Sequence, residues 1–186
     1  MKLNVVICST RPGRIGPKVG AWFAGYARKQ GSFDVDLVDL ADFHLPVMDE
    51  PKHPRLGDYQ HAHTKNWARS VASADAFAFV MPEYNFFAPP SMVNALDYLS
   101  NEWSYKPAGL VGYGGVSGGL RAVQAVKPLI TSMRMMPLPE SVAMPMVHSL
   151  VGEDGELKSN DLIDASAKTM LGELAKWAGA LKPLRG

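Results

Sequence analysis

The stretch Cys8-Ser9-Thr10-Arg11-Pro12-Gly13-Arg14-Ile15-Gly16 gathers hydroxyls, guanidiniums and glycines between an apolar run, Leu3 to Ile7, and a helical pattern that starts at Pro17. A strand that feeds a helix through such a turn makes an anion site. Free backbone N–H groups and the positive end of the helix dipole both face the turn. Ser9 and Thr10 add hydroxyl donors, Arg11 and Arg14 add charge, and Gly13 and Gly16 let the backbone approach a ligand. Neither G-x-x-x-x-G-K-[ST] nor G-x-G-x-x-G can be drawn through the stretch. A terminal phosphate monoester fits it; an ordinary strand-to-helix turn with solvated arginines fits it as well.

Two further loops carry unusual chemistry. Pro82-Glu83-Tyr84-Asn85-Phe86-Phe87-Ala88-Pro89-Pro90 offers aromatic surface, an amide and main-chain donors stiffened by proline. Gly114-Gly115-Val116-Ser117-Gly118-Gly119 offers a backbone almost without bulk. Gly112-x-Gly114 begins a dinucleotide fingerprint, but Ser117 stands where its third glycine belongs. A flat heteroaromatic ring fits between two such loops, its polar edge read by main-chain groups. Tyr84 suits either a wall of that site or simple packing.

Other candidate groups read as structural. His61 and His63 lie two apart on a predicted helix and should not share a face. With His44, His53 and His148 they read as structural or solvated side chains, and no metal site is expected. Met133, Met135, Met136, Met144 and Met146 read as adaptable core or interface filler. Glu153-Asp154-Gly155-Glu156 lacks the alternating ligands of a calcium loop and reads as a solvated turn. Asp34 and Asp36 read as solvent-facing and Asp39 as a strand-end residue.

The elements that must position these loops follow from hydrophobic period. Strands are expected at Leu3–Cys8, Phe33–Leu40, Asp75–Met81, Pro107–Tyr113 and Ser141–Met146. Helices are expected at Pro17–Lys29, Tyr59–Ser73, Ser91–Ser100, Leu120–Met135 and Asn160–Leu181. Residues 41–58 read as a long loop and Val151–Leu157 as a turn or small hairpin. Strict β-α alternation predicts an α/β fold, a flavodoxin-like three-layer sandwich with a five-stranded parallel sheet of order 2-1-3-4-5. Ligands bind such sheets at the carboxyl ends of the strands, at the switch between strands one and three. The three unusual loops follow strands one, three and four, so they should meet there.

The 186 residues are expected to form a single domain, 1–186. A net charge of +1 argues against nucleic-acid binding. No apolar run approaches the roughly 20 residues of a membrane helix. With no room for a leader before the first strand, the cytoplasm is the expected compartment. The single cysteine, Cys8, permits no internal disulfide.

Ser9-x-Arg11, Pro82-Glu83-Tyr84-Asn85 and Gly114-Gly115-x-Ser117-Gly118-Gly119-x-Arg121, in this order after strands one, three and four, resemble the NADPH-dependent FMN reductase family. The resemblance implies FMN as cofactor and NADPH or NADH as co-substrate. It also implies a ping-pong transfer of two electrons to a small-molecule acceptor: a quinone, an azo dye, chromate or free flavin. Ser9 and Arg11 match family phosphate contacts, completed by main-chain groups around Ile15 and Gly16. Pro82, Glu83, Tyr84 and Asn85 match the flavin-edge segment, and Gly115, Ser117 and Gly118 the segment across the ring. Arg14 stands where many relatives carry serine, which implies a phosphate held more by charge. Phe86-Phe87 stands where many carry glycine, a pair expected to narrow the cleft or to pack at a subunit interface. The family implies a homodimer or homotetramer; Tyr98, Trp103 and Tyr105 suit an interface or a core. An electron carrier and a flavin-binding regulator are the alternative classes. Near-neutral charge disfavours the carrier, which needs charge to steer its partner.

Overall fold

The computed structural model describes residues 1–185. Strands β1 (Lys2–Ile7), β2 (Asp34–Asp39), β3 (Ala76–Pro82), β4 (Pro107–Tyr113) and β5 (Met136–Met144) form one parallel sheet in the order β2-β1-β3-β4-β5. This is the expected flavodoxin-like topology. β3 and β4 are buried along their whole length, as central strands covered on both faces must be. Helices α1 (Gly16–Gln30) and α5 (Asp161–Leu181) pack on one face, against Val5, Ala78, Val80 and Val111. Helices α2 (Ala62–Ala72), α3 (Pro90–Asp97) and α4 (Leu120–Ser132) pack on the other, against Val6, Phe77, Phe79 and Leu110. Alternate strand residues feed the two layers, as the period of two requires.

Several boundaries differ from expectation. β5 begins at Met136 rather than Ser141, and α4 stops at Ser132 rather than Met135. The chain turns through Arg134 at φ 60° and then runs extended through Pro137 and Pro139. Two prolines in four residues read as loop, but β5 is an edge strand, where a missing N–H is tolerated. A register shift between Ala108 and Leu110 absorbs the irregularity. α2 starts at Ala62, not Tyr59, and α3 spans Pro90–Asp97 rather than Ser91–Ser100. The long loop opens on a short 3-10 turn at Leu40–Phe43 and contains another at Pro54–Leu56. Val151 and Leu157 pair antiparallel, as the hairpin reading expects.

Because His61 is the extended residue before α2, its ring does meet that of His63, contrary to expectation: the two stack 5.2 Å apart. Both lean on Asp49, with His63 Nε2 3.0 Å from its carboxylate. Among the described residues no cluster suits a metal ion. Tyr98 and Trp103 are core residues, and only Tyr105 of that trio is exposed.

Lys106 is a buried cation, donating to the carbonyls of Val71 and Ala72 at the end of α2 at 2.8 and 3.2 Å. Burial, seconded by the charge of Arg185, pushes its ammonium down to about 8 from 10.5. Between those values the unfolded chain binds more protons, so stability rises with pH. Relative to Lys106→Met, the wild type is expected to gain on the order of 2 kcal/mol between pH 7 and 10 in urea unfolding. Parallel pH profiles would show that Lys106 titrates normally in the fold.

Candidate functional site

A cavity of about 430 Å³ opens at the carboxyl ends of β1, β3 and β4. That volume is ordinary for a small-molecule site. Arg11, Gly13, Arg14 and Ile15 line it from the β1–α1 turn, Pro82, Glu83 and Tyr84 from the loop after β3, and Gly115 from the loop after β4. The three loops therefore meet as the topology predicts. Tyr113, Gly114 and the segment Met146–Ser149 complete the wall.

The β1–α1 turn is built to receive an acceptor. Helix α1 has no side-chain cap at Ile15. Among the described residues the amides of Thr10, Arg11, Gly13, Ile15 and Gly16 donate to no protein acceptor. An uncapped helix start with several free amides favours an anion. Arg11 faces the same cavity with its guanidinium 6.0 Å above the Tyr84 ring and, among the described residues, pairs with no carboxylate.

Arg14 is engaged otherwise. Its guanidinium grips both oxygens of Asp39 at 2.7 Å and also donates to the Ser9 carbonyl. Hydrogen bonding to Asp39 raises its already high pKa. The charge read from the sequence as phosphate-directed is thus largely answered by Asp39, which is a partner and not merely a strand end. Lys18 likewise donates to the Gly155 carbonyl.

Ser9 is fully buried beneath the turn, accepting from the Tyr113 hydroxyl at 3.2 Å. Burial pushes the Tyr113 phenol up, so it stays a donor. Gly16 lies against this pair: a Cβ there would sit 2.3 Å from Ser9 Oγ and 2.9 Å from the Tyr113 oxygen. The glycine permits the close approach of α1 to the end of β1.

Glu83 and Ser117, both read as ligand-facing, bind each other. Glu83 Oε2 accepts from Ser117 Oγ at 2.7 Å and from the Arg121 amide at 3.1 Å, while Oε1 accepts from Arg121 Nε at 2.6 Å. Burial alone would raise the Glu83 pKa; the bonds from Arg121 and Ser117 outweigh it and hold the carboxyl below its usual range. One carboxylate thus lashes the β3 loop to the β4 loop and caps α4, which lacks a cap of its own.

The glycine loop is oriented by a segment that no motif marks. Met144 and Met146 amides donate to the carbonyls of Gly118 and Gly115 at 3.1 and 2.9 Å, and the Val147 amide to that of Gly114 at 3.0 Å. With its carbonyls occupied, the loop leaves the amides of Gly115, Val116 and Ser117 without a protein acceptor among the described residues. Gly118, at φ 60°, packs against the Met144 and Pro145 backbone and does not line the cavity.

Asn85 serves the turn rather than the wall. Tyr84 and Phe87 exchange both backbone hydrogen bonds, at 2.9 and 3.0 Å, across Asn85 at φ 49° and Phe86 at φ 69°. A two-residue turn with both central residues left-handed suits asparagine at the first and glycine at the second.

The sequence of residues 1–149 matches the model of the NADPH-dependent FMN reductases. The chain belongs to that family. An NAD(P)H-dependent FMN reductase of Schizosaccharomyces pombe is 37% identical over 147 residues, covering 77% of this chain and 74% of the relative. An NAD(P)H-dependent FMN reductase of a Nectria species is 32% identical over 189 residues, covering 97% and 89%. The fold is shared with FerB, a flavoenzyme NAD(P)H:(acceptor) oxidoreductase of Paracoccus denitrificans, at a TM-score of 0.76 and 19% identity over 96% and 97% of the two chains.

The donor set fits the family's cofactor. A phosphate monoester suits the uncapped turn and Arg11, and a flat ring suits the space between Tyr84 and the glycine loop. Tyr113 and Met146–Ser149 are the wall residues that sequence reasoning missed. The sequence places Met146 at the end of a strand and His148 among structural or solvated side chains; hydrogen bonds to the glycine loop carry the segment to the cavity.

Proposed function

We propose that this oxidoreductase binds FMN in the cavity and passes two electrons by a ping-pong route from NAD(P)H to a quinone, azo dye, chromate or free flavin. The observation that supports it best is that residues with free amides from both loops, Arg11, Gly13 and Ile15 of the β1–α1 turn and Gly115 of the glycine loop, line one cavity walled by Tyr84 and Tyr113. The flavin, when bound, supplies the hydride chemistry; the chain supplies orientation and electrostatics. The Arg11 guanidinium and the free amides of Thr10, Arg11, Gly13, Ile15 and Gly16 take the phosphate. The amides of Gly115, Val116 and Ser117 read the polar edge of the ring and favour negative charge there, by the logic of an oxyanion hole. Ser9 and Tyr113 hold the turn from below. Glu83, Ser117 and Arg121 fix the spacing of the two ring-binding loops. Tyr84 walls the face open to nicotinamide and acceptor.

The whole chain is read as one flavin-binding domain that works in the cytoplasm as a homodimer or homotetramer. In a ping-pong scheme the NAD(P)H half-reaction runs to completion with no acceptor present. Anaerobic titration of the FMN-loaded protein with NADPH tests this directly, and a flavin that stays oxidised would sink the proposal.

A further inference from the structure

Phe86 is a bulky residue at a left-handed backbone position, φ 69°, that glycine would fill without strain. Such outliers persist where the surroundings hold them, and they cluster at ligand clamps. Here the holder is visible. The Arg121 guanidinium stacks on one face of the Phe86 ring, 3.7 Å from its centroid, and is itself anchored by the buried Glu83 carboxylate. The ring is nonetheless 63% exposed, so its remaining face is open. It stands two residues beyond the cavity wall residue Tyr84, on the same turn. Val116 in the glycine loop, Leu120 at the start of α4 beside Arg121, and Met146 after β5 are exposed as well. A strained, cation-backed ring with a free face beside a redox cavity is a stacking platform.

We infer that Phe86 selects planar aromatic acceptors by stacking them on its open face at the cavity mouth. The inference rests on the flavin-reductase reading. Planar rings gain from offset stacking in a way that compact inorganic ions cannot. Arg121 fixes the ring in advance, so little side-chain freedom is lost when a ligand stacks.

The test compares wild type, Phe86→Gly and Phe86→Trp, each loaded with FMN, using 1,4-naphthoquinone and ferricyanide as acceptors of NADPH electrons. In Phe86→Gly the ratio of kcat/KM for naphthoquinone over ferricyanide should fall about tenfold, a stacking contact's worth. The Kd of naphthoquinone for the oxidised protein, read without turnover by flavin fluorescence quenching, should rise by about the same factor. Phe86→Trp should restore both. The melting temperature of Phe86→Gly should stay within about 4 °C of wild type, because relief of backbone strain offsets the lost cation–π contact. An unchanged ratio and Kd would overturn the platform. So would equal loss with both acceptors, or an altered association state, which would make the ring a contact between copies. Wild-type protein that reduces neither acceptor would overturn the flavin-reductase reading itself, and the platform with it.

Discussion

Gly119→Ala is expected to destabilise the fold by about 3–5 kcal/mol and to abolish tight FMN binding. Gly119 sits at φ 85°, and a Cβ there would lie 2.4 Å from the Tyr113 nitrogen and 2.6 Å from the Gly112 carbonyl carbon. These are backbone atoms of β4, so no side chain can rotate aside. The glycine loop must lift from the strand end, which breaks its bonds to Met144 and Met146 and moves the free amides of Gly115 to Ser117. Gly25→Ala supplies the contrast. Its Cβ meets nothing within 4 Å inside α1, so it should gain up to about 1 kcal/mol. Urea unfolding of both variants decides the matter. A loss below about 1 kcal/mol in Gly119→Ala would mean that the loop has room the structure does not show.

Arg121→Met should cost about 2–3 kcal/mol, less than the loss of one partner from a fully buried pair, because the arginine side chain is 51% exposed. The Glu83 side chain is only 6% exposed and would keep its charge with Ser117 and one amide as partners. Glu83→Gln in the same background should recover part of the loss, since the stranded charge is then gone. The pH dependence carries a sign. The lowered carboxyl contributes stability that is present above its unfolded pKa and lost as pH falls through the folded one. Arg121→Met should flatten that acid-side loss. Additive single effects would contradict coupling between the two side chains.

The sheet order and the meeting of the three loops were legible because each strand is marked by an apolar run and each loop by glycine, proline or charge. The first half of the edge strand β5, Met136 to Glu140, was not, since Pro137 and Pro139 break its pattern and only its edge position beside β4 permits them. Within the site, residue type predicted presence better than role. Arg11, Arg14, Glu83 and Tyr84 all line the cavity, but Arg14 and Glu83, like Ser117 outside it, give their polar groups to protein partners. Charge and hydroxyls can be read from a sequence; the partner that claims them, here Asp39 or Arg121, is set by the fold. Met146–Ser149 left no local signal, because backbone hydrogen bonds place it, and those carry no residue code.

The most direct test of the flavin-reductase reading is an anaerobic NADPH titration of the FMN-reconstituted protein, followed by visible absorbance. Complete bleaching of the flavin band at about one equivalent, with no acceptor present, is the predicted result. Bound flavin that stays oxidised would contradict the reductase and favour a carrier or regulator, and failure to retain FMN at all would contradict the site.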